Sequence, residues 1–171
     1  MLRYQWESLD LTNLETFSRL KHIIEMVKPE VGAFDTETSG LNIVKDKPFV
    51  IQFGFLDTKN MKGYTFAMDI ENCAIADDIL TYWNNEAKKL KLYLGHNVKF
   101  DMHMLTNIGH EYKHHNLSDT QFWIRYAHDA LHPNEGGPVM GLKEYTTRYL
   151  DKDAKEHENK FKTEKTEIVK K

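Results

Sequence analysis

The chain has 171 residues, a length that fits a single domain, and a formal net charge of −3, which argues against a generic nucleic-acid-binding module. Hydrophobic residues make up 40% of the sequence and aromatic residues 12%, which excludes a disordered protein. Cys73 is the only cysteine, and neither a signal peptide nor a membrane-spanning apolar run is visible, so we expect a cytoplasmic protein without an internal disulfide or a membrane partner.

Hydrophobic periodicity predicts an alternation of helices and strands. A first helix follows the capping-box pattern at residues 12–15, and its apolar side is expected to carry Leu14, Phe17, Leu20, Ile24 and Val27. Residues 31–35, 49–56 and 63–70 are typical of an antiparallel three-strand meander. They are followed by a helix at 77–90, a strand from 92, and helices from 98, at 121–131 and at 142–150. This order predicts an α/β fold with a mixed β-sheet flanked by helices.

The helix predicted at 121–131 has an aromatic side. Its spacing predicts that this side faces inward, and the residues on it are Phe122, Trp123, Tyr126 and Ala130.

Two acidic residues stand at the end of the first strand of the meander. Asp35 and Glu37 are two positions apart, so their side chains project from the same face of the strand. Neighbouring carboxylates repel each other and attract a divalent cation, and their hard oxygen atoms suit Mg²⁺ or Mn²⁺. An exposed strand end with acidic residues in a turn would have the same pattern, so the residues alone leave both interpretations open.

A second polar cluster follows the strand predicted from residue 92. The segment His96-Asn97-Val98-Lys99-Phe100-Asp101 leads into a helix, because apolar residues then recur at helical spacing. Asp101 falls in the first turn of that helix, where it can face back towards the strand ends. A negative charge at this position is also favoured by the helix dipole alone.

Taken together, the two segments resemble those of a known family. The stretch from Asp35 to Leu41, Asp-Thr-Glu-Thr-Ser-Gly-Leu, resembles the first motif of the DEDD 3′–5′ exonucleases. The stretch from Asn97 to Asp101 resembles their second motif, in the form used by proofreading domains of family A (DNA polymerase I-like) polymerases. The resemblance continues through residues 118–120 to the helix at 142–150, and it implies an RNase H-like fold.

The resemblance also implies roles for individual residues. Asp35, Glu37 and Asp101 would be catalytic ligands of two Mg²⁺ or Mn²⁺ ions, which together hydrolyse a phosphodiester bond. The expected nucleic-acid contacts are Thr36, Leu41, His96 and Asn97. Two of these have simpler interpretations: Leu41 could be an ordinary core leucine, and Asn97 could be a helix cap.

The family's third motif, Tyr-x-x-x-Asp or His-x-x-x-Asp, is predicted to be missing. His115 to Asp119 has the right spacing but comes too early in the chain, and Tyr149 to Asp153 follows too directly on the preceding helix. We therefore expect residues 1–150 to form a C-terminally incomplete exonuclease domain and 151–171 to form a charged tail. Asp153 could replace the missing carboxylate.

A competing pattern lies at residues 110–114, His-Glu-Tyr-Lys-His, which matches the H-E-x-x-H motif of zinc peptidases. That motif requires a helix, but Gly109 is typical of a helix end and the following residues read as a loop. The zinc interpretation is therefore disfavoured.

The sequence thus predicts an enzyme, a metal-dependent 3′–5′ exonuclease that removes nucleotides from single-stranded DNA 3′ ends. It would be the N-terminal proofreading part of a DNA polymerase I-like enzyme, with a polymerase domain in the parent protein. The alternatives are a catalytically inert nucleic-acid-binding or replication-accessory domain and an RNase D-like exoribonuclease.

Overall fold

The computed structural model describes residues 4–111, 116–131 and 142–147, and the chain divides after Asp119 into two units. Several predictions lie outside the described residues. In the zinc-peptidase pattern this applies to His114, and in the early third-motif match it applies to His115. In the late match it applies to both Tyr149 and Asp153, and the tail at 151–171 also lies outside. No helix in the described ranges is long and apolar enough to cross a membrane.

The described residues form the following strands and helices in chain order: β1 (Gln5–Asp10), α1 (Leu14–Val27), β2 (Val31–Thr38), β3 (Pro48–Asp57), β4 (Lys62–Asp69), α2 (Ala76–Ala87), β5 (Leu92–Gly95), α3 (Val98–Thr106), β6 (Leu117–Asp119), α4 (Thr120–Leu131) and α5 (Leu142–Tyr145).

The strands form one six-stranded mixed sheet in the order β1-β4-β3-β2-β5-β6. The meander β2-β3-β4 is antiparallel, as predicted, whereas β1 pairs parallel with β4, β5 with β2, and β6 with β5. Neighbouring parallel strands run in the same direction, so their carboxyl ends lie side by side. The carboxyl ends of β2, β5 and β6 are therefore adjacent, and each is followed by a polar residue.

An aromatic cluster connects the strands and α2 within the core. Trp83 is fully buried, stacks on Phe53 with ring centroids 4.3 Å apart, and donates a hydrogen bond to the Tyr93 hydroxyl at 2.8 Å. Tyr93 of β5 stacks in turn on Phe34 of β2, with centroids 4.7 Å apart. Buried aromatic pairs of this kind are worth about 0.5–1.5 kcal/mol beyond their area. They fix β2 against β5, which are the two strands that lead into the predicted motifs.

The N-cap of helix α1 lies one position later than predicted. Asn13 is the N-cap, and its side chain accepts from the amides of Glu15 and Thr16, while the Thr16 hydroxyl completes the capping box. Thr12 and Glu15, the expected pair, do not fill these roles. Leu14, which was assigned to the apolar side of the helix, is 67% exposed. As the first helical residue, Leu14 precedes the turns that pack on the sheet.

Strands β1 and β6 were not predicted. β1 lies at the edge of the sheet and its exposed residues include Trp6 and Ser8, so its sequence lacks a clean alternation of apolar and polar residues. β6 has only three residues, too few for a periodic signal.

The aromatic side of α4 is also not where periodicity places it. Phe122, Trp123 and Tyr126 are 64%, 60% and 81% exposed, whereas Ile124 is buried. The inward orientation predicted for these aromatics is therefore wrong. A stripe of apolar residues identifies an amphipathic face but does not say what covers it. Ala130 lies among the side chains that are not described.

Candidate active site

Strand β2 presents Asp35 and Glu37 on one face of the sheet. Both are exposed, while Phe34, between Ala33 and Asp35, points to the opposite face and is buried. Strand β5 pairs with β2 only as far as Ala33, so β2 extends beyond its parallel neighbour at the position of Asp35. Beyond Ala33, the hydrogen bonding of this side of the β2 backbone must be satisfied by an element other than β5.

Helix α3 satisfies it through Asp101. The Asp101 Oδ1 atom accepts a hydrogen bond from the Thr36 amide at 3.0 Å and another from the Thr36 hydroxyl at 2.5 Å, although the two residues are 65 positions apart in the chain. The Asp101 side chain takes the place of a missing strand partner. In this way, a carboxylate from a helix is fixed to Thr36, the residue between Asp35 and Glu37 of β2.

The electrostatics of Asp101 reflect this position. Only 3% of the residue is exposed. Its carboxyl pKa is raised from the ordinary 3.8 to about 6, chiefly because burial disfavours the charged form; the hydrogen bond from the Thr36 hydroxyl opposes the rise, and the charge of Asp35 adds to it. The contribution of the Asp35 charge means that this carboxylate lies near Asp101, and a metal site shared by the two residues stays a prediction.

A residue of β6 stabilises the turn that leads into α3. Asn97 has a left-handed backbone conformation, with φ 58°, and its own side chain makes no capping hydrogen bond. The carboxylate of Asp119 caps the helix instead, accepting from the amides of Asn97 at 3.0 Å and Val98 at 3.1 Å. Gly95 allows the close approach that this turn requires, because a Cβ there would lie 2.9 Å from a Val98 methyl carbon.

The residues predicted to contact nucleic acid lie on three segments near these carboxylates. The segments are β2, the loop that follows β2, and the turn between β5 and α3. Thr36 binds Asp101, His96 is half-buried at the end of β5, and the exposed Asn97 starts α3. Leu41 is 85% exposed, so it is not a core leucine. Asn97 is at the cap position, but Asp119 does the capping. The contacts themselves remain predictions.

The donor chemistry suits a divalent ion, but the ligand set is not assembled in the described ranges. No three carboxylate, histidine or cysteine side chains within them lie close enough together to hold a metal ion. Carboxylate oxygens are nevertheless the ligands that Mg²⁺ and Mn²⁺ prefer, and a cation would relieve the repulsion between Asp35 and Asp101. Asp35, Glu37 and Asp101 therefore fit such an ion in kind, and their assignment as ligands remains a prediction.

Comparison with known proteins identifies the family. A family model described as 3′-5′ exonuclease matches residues 11–170, nearly the whole chain. The chain belongs to the 3′–5′ exonuclease family. The resemblance to DEDD exonucleases, first carried by the segments 35–41 and 97–101, is thereby confirmed. The comparison with curated proteins finds no match.

Solved exonuclease structures share the fold. The catalytic core of RRP6 from Trypanosoma brucei superposes with a TM-score of 0.61 at 12% identity, over 86% of this chain and 37% of that one. RNase D from Escherichia coli gives 0.57 at 17%, over 86% and 33%. NrnC from Brucella melitensis with bound Mg²⁺ gives 0.52 at 19%, over 87% and 62%. These likenesses confirm the RNase H-like fold, and the exonuclease chain spans less than two thirds of each of these structures.

Sequence reasoning missed the role of Asp119 in this exonuclease domain. The sequence marks Asp119 only as part of the segment 118–120 and as the end of the early third-motif match. No local pattern marks it as a cap, because the helix that it caps begins 21 positions earlier in the chain. The sequence correctly indicates that Asn97 is at the N-cap position of α3. It does not indicate that the capping hydrogen bonds are accepted by the side chain of another residue, Asp119.

Proposed function

We propose that this domain is a metal-dependent nuclease that removes nucleotides one at a time from single-stranded DNA 3′ ends. The observation that carries the proposal is the placement of Asp101 of α3 beside Asp35 of β2, in a chain that belongs to the 3′–5′ exonuclease family. The bonds between Thr36 and Asp101 join the two distant segments at the carboxyl end of a central strand, where we expect a scissile phosphate to bind.

Asp35, Glu37 and Asp101 would hold the Mg²⁺ or Mn²⁺ ions. Two such ions, when bound, activate water as a nucleophile and stabilise the leaving 3′ oxygen. The side chains of the domain fix the geometry. Thr36 orients Asp101 through both its amide and its hydroxyl, and Asp119 fixes the turn from which α3 begins. Exposed Asp35 and Glu37 leave the face accessible to a nucleic acid.

The preference for DNA rests on the Asn97 to Asp101 motif, whose form resembles that of polymerase proofreading domains. On this basis we place the domain in the proofreading part of a DNA polymerase I-like protein in the cytoplasm, with residues 1–150 as the nuclease domain and 151–171 as a charged tail. A polymerase domain of the parent protein would be its partner.

An exoribonuclease is the second candidate, and the structural neighbours favour it. RNase D is described as an exoribonuclease involved in structured RNA processing, and NrnC has been solved bound to pGG. The sheet and helices that carry the carboxylates are shared with these proteins. The two candidates therefore differ in how the sugar is recognised rather than in how the carboxylates are placed.

The decisive experiment compares 5′-labelled single-stranded DNA with RNA of the same sequence, in Mg²⁺ or Mn²⁺. We expect stepwise shortening of DNA from its 3′ end, and a loss of about a hundredfold or more in Asp35→Ala, since an ion bound by fewer ligands stabilises the transition state by several kcal/mol less. Asp10→Ala is the matched control, because Asp10 is also exposed at the end of a strand but lies at the far edge of the sheet.

The outcomes separate the candidates. Faster shortening of RNA would replace the DNA proposal with the exoribonuclease. Folded protein that shortens neither substrate would overturn the nuclease proposal in favour of an inert binding domain. Equal losses in Asp35→Ala and Asp10→Ala would show that the activity does not depend on the β2 carboxylates.

A further inference from the structure

The loop that joins β2 to β3, residues 39–47, exposes an unusual number of apolar side chains. Leu41 is 85% exposed, Val44 is 79% exposed and Ile43 is 43% exposed. The loop begins two positions after Glu37, at the end of the strand that carries the predicted metal ligands. Single exposed apolar residues are common, but three in one short loop beside a candidate site indicate a binding surface.

Hydrogen bonds within the loop hold its backbone in a closed shape. The amide of Ser39 donates to the Lys47 carbonyl at 3.1 Å, which closes the base of the loop. The amide of Asn42 donates to the Asp46 carboxylate at 2.7 Å, and the Asn42 side chain accepts from the Val44 amide at 3.0 Å. These polar groups find their partners within the loop, and the side chains of Leu41 and Val44 remain in solvent.

One side chain outside the loop ties it to the rest of the domain. The Asn107 side-chain amide, at the C-terminal end of α3, donates to the carbonyls of Ile43 at 3.0 Å and Asp46 at 2.8 Å. Helix α3 also carries Asp101, which is bonded to Thr36. Six residues of α-helix span about 9 Å. A single short helix therefore fixes both a predicted metal ligand and the apolar loop.

We propose that Asn107 is a positioning residue, which holds the loop 39–47 so that its exposed aliphatic side chains contact the terminal base of the substrate. The occupant is an unpaired nucleobase at a 3′ end, because the loop continues directly from the carboxylates and an apolar surface there matches the face of a base. This inference rests on the proposed nuclease function. Asn107 itself touches no reacting atom; it acts through the loop.

Hydrogen exchange tests the structural half of the inference without any activity. In Asn107→Ala, we expect the amides of Asn42, Lys45 and Asp46 to exchange about tenfold faster, because the loop loses two hydrogen bonds to the helix. Amides in the middle of β2 and β3 should be unchanged. Unchanged protection of the loop would overturn the inference, whatever the activity of the domain.

Kinetics test the functional half. We expect Asn107→Ala to raise KM about tenfold for a single-stranded 3′ end while kcat stays within about twofold, since binding is affected and the carboxylates are not. Wild-type protein should also favour a normal 3′ terminus over an abasic one, and the variant should lose most of that preference. Asn60→Ala is the matched control, because it removes a side-chain amide bond to Asp57 from the loop between β3 and β4, which lies at the opposite end of these strands from the loop 39–47.

The kinetic outcomes distinguish the inference from the function on which it rests. An inactive wild-type protein would overturn the proposed nuclease. An active wild-type protein whose KM and abasic discrimination are unaffected by Asn107→Ala would overturn only the role of Asn107. Equal effects of Asn107→Ala and Asn60→Ala would also overturn it, because they would reflect general destabilisation.

Discussion

Asp101 is the residue at which folding stability conflicts with the role that we propose for it. The carboxyl is almost fully buried, and its pKa is raised to about 6 by that burial and, to a lesser degree, by the charge of Asp35. The folded protein therefore binds the proton more tightly than the unfolded chain does. The stabilisation from this group is complete below about pH 4 and is lost as the pH rises through about 6. At neutral pH, the domain holds a charged group in a place that favours a neutral one.

We expect Asp101→Asn to be more stable than the wild type at neutral pH in the absence of metal. Asparagine keeps an oxygen that can accept from Thr36 but carries no charge. The rise from 3.8 to about 6 corresponds to a gain of up to about 3 kcal/mol. Urea unfolding in EDTA at pH 4.5 and 7.5 measures it, and the advantage of the variant should grow between the two pH values.

Asp69→Asn provides the control for this stability measurement. Hydrogen bonds from Asn72 hold the pKa of Asp69 below its usual value, so its contribution is lost only at more acidic pH. Its stability difference from the wild type should hardly change between pH 4.5 and 7.5. If the stability difference between Asp101→Asn and the wild type is the same at both pH values, the pKa of the buried Asp101 carboxyl is not raised in the folded state.

Helix α3 is the element that organises the candidate site. Its start is capped by Asp119, its first turn carries Asp101, and its end is joined to the loop 39–47 by Asn107. Each contact reaches a different strand or loop. A short helix with three such attachments transmits any loosening at its N-terminus to the carboxylate one turn further on.

We therefore expect Asp119→Ala to lower activity about tenfold or more and to cost about 1–2 kcal/mol of stability. The variant loses an N-cap and a favourable charge at a helix N-terminus. Asp119→Asn, which keeps one carbonyl acceptor, should recover part of both. Exonuclease rates and urea unfolding on the same samples measure the two effects.

The cap of α1 offers a matched comparison. Asn13→Ala removes an N-cap from a helix that carries no predicted site residue, so it should lose similar stability and keep its activity. Comparable activity losses in Asn13→Ala and Asp119→Ala would mean that the effect is only general destabilisation.

The elements also show what the sequence could predict. Strands β2 to β4 and helices α2 and α3 have strong apolar periodicity, and their positions were predicted to within a few residues. Edge strand β1 and the three-residue β6 lack such periodicity. The cap from Asp119 and the tie from Asn107 depend on contacts between distant segments, and no local pattern encodes them.

At the scale of the whole molecule, the parallel pairing of β5 with β2 brings the two predicted motifs to the same edge of the sheet. The motif residues could be predicted because each motif is a short contiguous segment of the sequence. Their meeting could be inferred only from the family resemblance. Of the two segments considered for the fourth carboxylate of the family, the early one ends in Asp119, which caps α3, and the late one lies outside the described residues. The absence of the third motif stays a prediction.

The placement of like charges at this edge makes metal binding a property of the folded state. An ion that binds only the folded domain at ten times its dissociation constant stabilises it by about 1.4 kcal/mol, which raises the Tm of a chain of this length by about 4 °C. We expect such a rise with Mg²⁺ or Mn²⁺ at pH 7.5, and a much smaller one in Asp35→Asn. Removing this exposed carboxylate costs little folding stability, so a smaller rise reports weaker binding rather than a damaged fold.

Asp10→Asn should keep the full metal-dependent rise in Tm, because Asp10 belongs to β1, the edge strand that β4 and β3 separate from β2. A thermal melt across a metal titration for all three proteins measures the effect. If the three proteins gain the same amount, the ion binds elsewhere and the β2 carboxylates are not its ligands. If none gains at any concentration, Asp35, Glu37 and Asp101 do not form a metal site by themselves.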